Sequence, residues 1–392
     1  MSKTTQKTIR KKRRRIRKSI LLIPLFIVAA IAALVFYPRF KMDRTLQEMG
    51  YTEEQIQAVR EEDLQHVIIN GGYYSPYLAE SIAAHTLNRD YISLYAAVKE
   101  GRTLNEKDFL LARRLQDMGY EQDQIENLFA NLEFWEMTPL LVYDYQWDEN
   151  GYIEDCLAHH SENSVDRFVL DGLYRSMYKT TAPAENTGSA AVLVNRTYYL
   201  SEEYEPEDLT EISMQYAVYG MYLRKEAAEA AQEMCAGSVN GGSAFFIASS
   251  YWDYASLDYT YQMAVNQMPK TEADWYTPRA GHSEHQTGLC VNLAATYETS
   301  VDFADSSCRQ WLKTNSASYG FIERYPQGKE EITGMEPEPE HYRYVGKDIA
   351  RMVQASRLTF DEYYCLYLKS WRHAECMPDS SVTSKINEYS AF

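Results

Sequence analysis

The sequence predicts an α+β protein, and three observations carry that prediction. Short apolar runs at 191–194, 245–248, 289–291 and 342–345 read as buried strands. Helix-patterned stretches lie between and before them, with 209–235 the longest after residue 190. The two kinds of element do not alternate in a regular strand–helix–strand rhythm, which argues against a parallel α/β sheet.

The helix over 209–235 rests on its alanines, Ala227, Ala228, Ala230 and Ala231, which supply propensity. Residues 43–178 form a helical spacer in which one motif occurs twice. Leu46-Gln47-Glu48-Met49-Gly50-Tyr51 returns as Leu115-Gln116-Asp117-Met118-Gly119-Tyr120, an offset of 69 residues. Gly50 and Gly119 read as left-handed residues closing one helix, and the acids after them suit the start of the next. Two copies are too few for a solenoid. Residues 179–189 are small, polar and interrupted by Pro183 and Gly188, so they read as a linker into a domain at 190–376, followed by a tail at 377–392.

The chain has 392 residues, 39 Lys+Arg and 56 Asp+Glu, a net charge of −17. Ten of those cations and no acid fall in residues 1–18, so removing them leaves −27 for the rest. An acidic body excludes a general nucleic-acid binder. The basic tail, 1–19, leads directly into residues 20–37, an uncharged apolar run about 27 Å long as a helix. This predicts an uncleaved signal anchor in the plasma membrane, N-terminus cytoplasmic, with the remainder outside. Ala30-Ile31-Ala32 would suit a signal-peptide cleavage site, but apolar residues continue beyond it. Six cysteines could pair outside the cytoplasm, and no spacing selects a connectivity.

Two stretches carry the chemistry. The first runs Gly281-His282-Ser283-Glu284-His285-Gln286-Thr287-Gly288-Leu289-Cys290-Val291-Asn292, the second Glu338-Pro339-Glu340-His341. Histidines with a nearby glutamate suit zinc and a general base, although spacing alone is weak evidence. The first stretch resembles the VanY-type D-alanyl-D-alanine carboxypeptidases, whose zinc-peptidase fold is shared with lysostaphin-like and hedgehog-type domains. Tyr319-Gly320-Phe321-Ile322, Arg324-Tyr325-Pro326, residues 328–334 and Glu338-Pro339-Glu340-His341-Tyr342-Arg343-Tyr344-Val345-Gly346 continue the resemblance in order, over about 190–376.

The resemblance implies a compact antiparallel-sheet domain that cuts peptidoglycan stem peptides. It implies zinc held by His285, the position of Asn292, and His341, with Glu338 as the base acting on water. Ser283 falls near the substrate, as do Tyr251 and Trp252. The chain departs from the family pattern at several of these places. Asn292 stands where the family has Asp, so a charge is lost. Trp252 stands where the family has an Arg that supports the oxyanion or the substrate carboxylate, and Leu257 where it often has Gln. Glu340 replaces a Trp. These departures leave open a catalytically impaired domain that binds wall peptide or a partner protein. Strand alternation would put Glu284 and Glu340 away from the ligands and Cys290 on the face opposite His285, so none of them is expected to replace the missing carboxylate.

Overall fold

The computed structural model describes residues 37–142, 149–161, 164–165, 178, 181–296 and 301–369. The basic tail, all of 20–37 except Tyr37, and the tail at 377–392 lie outside the described residues. Among the described residues no helix is long and apolar enough to cross a membrane.

The chain divides into two compact units between Leu104 and Asn105. The first is helical: Glu53–Glu61, Gln65–Gly71, Pro76–Ala83 and Ile92–Ala97. Thr52 and Gln55 form a reciprocal capping box at the first of these, and Ser75 caps the third ahead of Pro76. The buried faces contribute Leu46, Ile56, Val59, Ile68, Leu78 and Ile82 to its core.

The twice-occurring motif is a helix stop in both places. Tyr51 N–H bonds to Leu46 O at 3.1 Å and Gly50 N–H to Gln47 O at 3.1 Å. Tyr120 to Leu115 (3.1 Å) and Gly119 to Gln116 (2.9 Å) repeat the pair. This crossed pattern is the Schellman motif, and it needs positive φ at the glycine. Gly50 and Gly119 have φ of 115° and 97°.

The second unit starts earlier than the 179–189 linker suggests. Helices Glu106–Asp117, Gln122–Asn131, Phe134–Met137 and Pro139–Val142 belong to it. Polar ties join them to the chain's C-terminal helical segment, Phe360–Tyr363 and Tyr364–Leu368. Arg114 Nε donates to Leu366 O at 3.0 Å, and Thr138 Oγ1 to Glu362 Oε1 at 2.7 Å. Within the linker, Ala182–Pro183 pairs in parallel with Tyr198–Tyr199.

The centre of this unit is a four-stranded antiparallel sheet. Its strands are β1 (Phe245–Ser249), β2 (Cys290–Ala295), β3 (Phe321–Tyr325) and β4 (Glu338–Tyr344), in the order β1-β2-β4-β3. Helix Lys225–Asn240 lays its alanine face in the core that also holds Phe245, Ile247, Val291, Leu293, Phe321 and Tyr342. Each large apolar side chain buried there contributes roughly 1.5–3 kcal/mol.

Two expected elements differ. Val192, Leu193 and Val194 are buried, and the run 191–194 joins no sheet ladder. Leu209–Glu211 is a strand paired with Tyr222–Arg224, so the expected 209–235 helix begins only at Lys225. Gly220, at φ 77°, turns the intervening chain, which lets Leu223 enter the core.

Strand alternation sorts the two faces of the sheet. Val291 and Tyr342 are register partners and point into the apolar core. Asn292 pairs with His341, and Cys290 with Arg343, so these four residues share the opposite face.

Candidate active site and metal centre

His285 lies in a short 3₁₀ turn, Glu284–Thr287, that ends at left-handed Gly288. A Cβ at Gly288 would meet Leu209 Cδ2 at 3.0 Å and Arg224 Cγ at 3.2 Å, so both φ and space call for glycine. The His285 Nδ1 donates to the Ser250 carbonyl. That bond sets the tautomer and leaves Nε2 as the nitrogen free to bind a ligand. Ser283 is buried, and its Oγ accepts from the His285 amide at 3.3 Å.

His341 on β4 stands edge-on to His285, ring centroids 5.1 Å apart at 82°. Glu338, at the start of the same strand, places Oε2 3.3 Å from His341 Nδ1. Glu284 Oε2 is 3.9 Å from His341 Nε2. Asn292 faces His341 across the ladder, and its buried Oδ1 has no hydrogen-bond partner among the described residues. The same is true of Glu284 Oε2 and His341 Nε2.

A cavity of about 260 Å³ joins these groups. Glu338, Ser283, Trp252, His285, Asn292 and His341 all line it. Tyr251 does not; its amide donates to Tyr222 O at 3.0 Å, and burial pushes its hydroxyl up to about 12. The Trp252 indole donates to Ser249 Oγ at 2.8 Å and forms part of the wall with Leu257. No Lys or Arg is among the described lining residues.

Two expectations from alternation need correction. Cys290 does not face away from His285: one donor atom each from His285, Cys290 and His341 lie within 4.8 Å of one another. The turn through Gly288 ends the strand before His285, so a two-residue period does not connect the two positions. Glu284 also reaches the cavity, although its Oε1 is taken by Arg324 Nε at 2.9 Å and Arg343 Nη1 at 2.7 Å. Glu340 is not among the lining residues.

The electrostatics follow from this crowding. Burial pushes the Cys290 thiol up, but the two imidazoles outweigh it and hold it at about 6. Burial pulls His341 down, and Cys290 and Glu338 outweigh that to bring it to about 10. Burial disfavours the Glu284 anion, and Arg324, Arg343 and His341 overcome it, so its carboxyl stays below the usual range.

The donor set suits zinc: two imidazoles, a thiol, an amide oxygen, and buried polar atoms without hydrogen-bond partners among the described residues. Sequence reasoning set Cys290 aside and missed the paired arginines. The available signal for Cys290 was its place two residues before Asn292, which puts both on one face of β2.

The chain is similar to known proteins over part of its length. Residues 220–347 match the family model described as VanY, D-alanyl-D-alanine carboxypeptidase. The Bacillus subtilis (strain 168) protein YodJ, itself only provisionally called a carboxypeptidase, is 35% identical over 220 residues, covering 54% of this chain and 80% of its own. A D-alanyl-D-alanine carboxypeptidase of Enterococcus faecium is 32% identical over 215 residues, 52% of this chain and 67% of its own. A zinc complex of a variant of the vancomycin-resistance D,D-pentapeptidase VanY is 30% identical, covering 44% of this chain and 98% of that one, with a TM-score of 0.40.

Proposed function

This chain belongs to the VanY family of D-alanyl-D-alanine carboxypeptidases, and from that premise we propose that it is a zinc hydrolase that removes the terminal D-alanine from peptidoglycan stem peptides. The observation that carries the reading is the convergence of His285, His341 and Glu338 on one cavity, with buried donor atoms that have no hydrogen-bond partner among the described residues. His285 and His341 would hold the metal, with a third donor from β2, where Asn292 occupies the family's ligand position. When bound, zinc supplies Lewis-acid polarisation of the scissile carbonyl and makes water more acidic.

The protein's own groups do the rest. Glu338 takes a proton from the attacking water onto a carboxylate oxygen and gives it to the leaving D-alanine nitrogen. The water's oxygen adds to the carbonyl carbon, and the C–N bond breaks. The Ser250 carbonyl keeps the His285 Nδ1 proton in place. Trp252 and Leu257 form an apolar wall on which the peptide can rest.

The site is carried outside the cell by the apolar run 20–37, which anchors the chain with its basic N-terminus in the cytoplasm. Protease protection of tags at either end of the chain in intact cells tests that topology. A second reading, wall-peptide binding without turnover, is favoured by Trp252 and by a described lining that holds no Lys or Arg to meet a substrate carboxylate. D-alanine release from a pentapeptide stem, by the full chain with zinc beside a Glu338→Gln control, separates the two. Release that the control abolishes supports the hydrolase. A folded protein that binds the peptide and releases nothing above the control supports the binder.

A further inference from the structure

We propose that Cys290 is the third metal ligand of this protein, so that the centre is His285–Cys290–His341 and Asn292 does not bind the metal. The inference rests on the zinc-hydrolase reading of the same site and replaces one of its ligands.

The geometry supplies three reasons. First, donor atoms of His285, Cys290 and His341 lie within 4.8 Å of one another, close enough to share one ion. Second, the face of β2 that carries Asn292 also carries Cys290, and both lie beside β4, where His341 sits. The left-handed turn at Gly288 brings His285 to the same point from outside the strand. Third, Cys290 is fully buried and is a free thiol rather than half of a disulfide. The buried Nε2 of His341 beside it has no hydrogen-bond partner among the described residues.

Chemistry selects the thiol over the amide. Two neutral imidazoles and an amide bring no charge to a divalent ion. Two imidazoles and a thiolate bring one negative charge, as two imidazoles and a carboxylate would. Thiolate is also a soft donor, which favours zinc over magnesium, manganese or calcium. Position 292 lost its anion, and position 290, one step along the same strand face, has one to offer.

The test uses the full chain in mild detergent, stripped of metal and reloaded with cobalt(II) or zinc. The cobalt protein is expected to show a thiolate-to-cobalt charge-transfer band in the near ultraviolet. X-ray absorption of the zinc protein should show a sulfur neighbour at about 2.3 Å. Cys290→Ala should remove both signals and weaken zinc binding by more than about a hundredfold, beyond the ten- to hundredfold typical of losing only a ligand's outer partner. The double variant Cys290→Ala with Asn292→Asp should bind zinc again, without either sulfur signal. Metal bound to the wild type without a sulfur neighbour overturns the proposal and leaves the hydrolase reading intact, as does unchanged zinc affinity in folded Cys290→Ala. Failure of both the wild type and the double variant to bind metal, with each shown to be folded, overturns the hydrolase reading as well.

Discussion

Glu284 stands between two regions with opposite bonding states, its Oε1 in one and its Oε2 in the other. Behind the cavity, Arg324, Arg343, Glu284 and Asp361 pair with one another. Arg324 grips Asp361 through Nη1 and Nη2 at 2.5 and 3.1 Å, and Glu284 through Nε. Arg343 holds Glu284 and the carbonyls of Val192, Ala190 and Tyr344. Asn195 Nδ2 adds a bond to Asp361 at 2.9 Å. The side chains of Arg324, Arg343, Glu284 and Asp361 are fully buried, two cations against two anions. In front, Asn292 Oδ1, His341 Nε2 and Glu284 Oε2 are buried without hydrogen-bond partners among the described residues. A region that satisfies itself holds its neighbours in place. A region that does not is built for a ligand, because an unmet buried polar group costs about 1–3 kcal/mol until something binds it.

The largest effect that would break this contrast is on the saturated side. Arg324→Met leaves buried Asp361 without its cation and Glu284 with Arg343 alone, and is expected to cost about 3–5 kcal/mol. Urea unfolding should show a lower midpoint that added zinc does not restore. A shift equal to that of a surface arginine variant would show that the network is not holding the site.

On the open side, Glu338→Gln should lower D-alanine release by about 10² to 10⁴-fold. Zinc content and the unfolding midpoint should stay at wild-type values, because Glu338 is partly exposed and among the described residues its one ion-pair contact is His341. A large loss of stability in this variant would place Glu338 in the scaffold instead.

Trp252→Arg adds a cation to a cavity whose described lining has none. It should lower KM for a stem peptide with a free C-terminal carboxylate by about tenfold, the worth of one charge-assisted hydrogen bond. The C-terminally amidated peptide should show no such gain. Equal changes for both peptides would mean that the site does not read the carboxylate through position 252.

The smallest effect is on pH dependence. His282 is held by the Asn195 carbonyl at 2.7 Å, and burial pulls it down to about 4. Between that value and the ordinary 6.5 the unfolded chain binds more protons, so stability is present above pH 6.5 and is lost as pH falls toward 4. From pH 7 to 6 the loss is about 0.7 kcal/mol. His282→Gln should flatten that part of the stability curve, and an unchanged slope would assign the acid limb to other groups.

Some of this was written locally and could be read from the sequence. The two Leu-Gln-x-Met-Gly-Tyr corners need only a glycine at the helix end, and both form as expected. The runs at 245–248, 289–291 and 342–345 lie in or overlap sheet strands, because their apolar residues must find a buried face. His285, Glu338 and His341 stand in motif words whose order survives in the chain, and the fold brings all three to the cavity. Other features depend on contacts between distant residues. Arg114 bonds to Leu366 and Thr138 to Glu362 across more than two hundred residues, so a composition break at 179–189 could not show where the compact unit begins. Leu209–Glu211 became a strand because Tyr222–Arg224 was there to pair with it. Cys290 shows the limit most directly. Alternation along a continuous strand separates it from His285, but the left-handed turn at Gly288 interrupts that strand and brings the two together. Sequence by itself determined which residue types were available to the site, since motif and capping act over a few residues. The tertiary structure decided which of them meet, since that depends on where a turn breaks the two-residue period and on what β4 lays opposite.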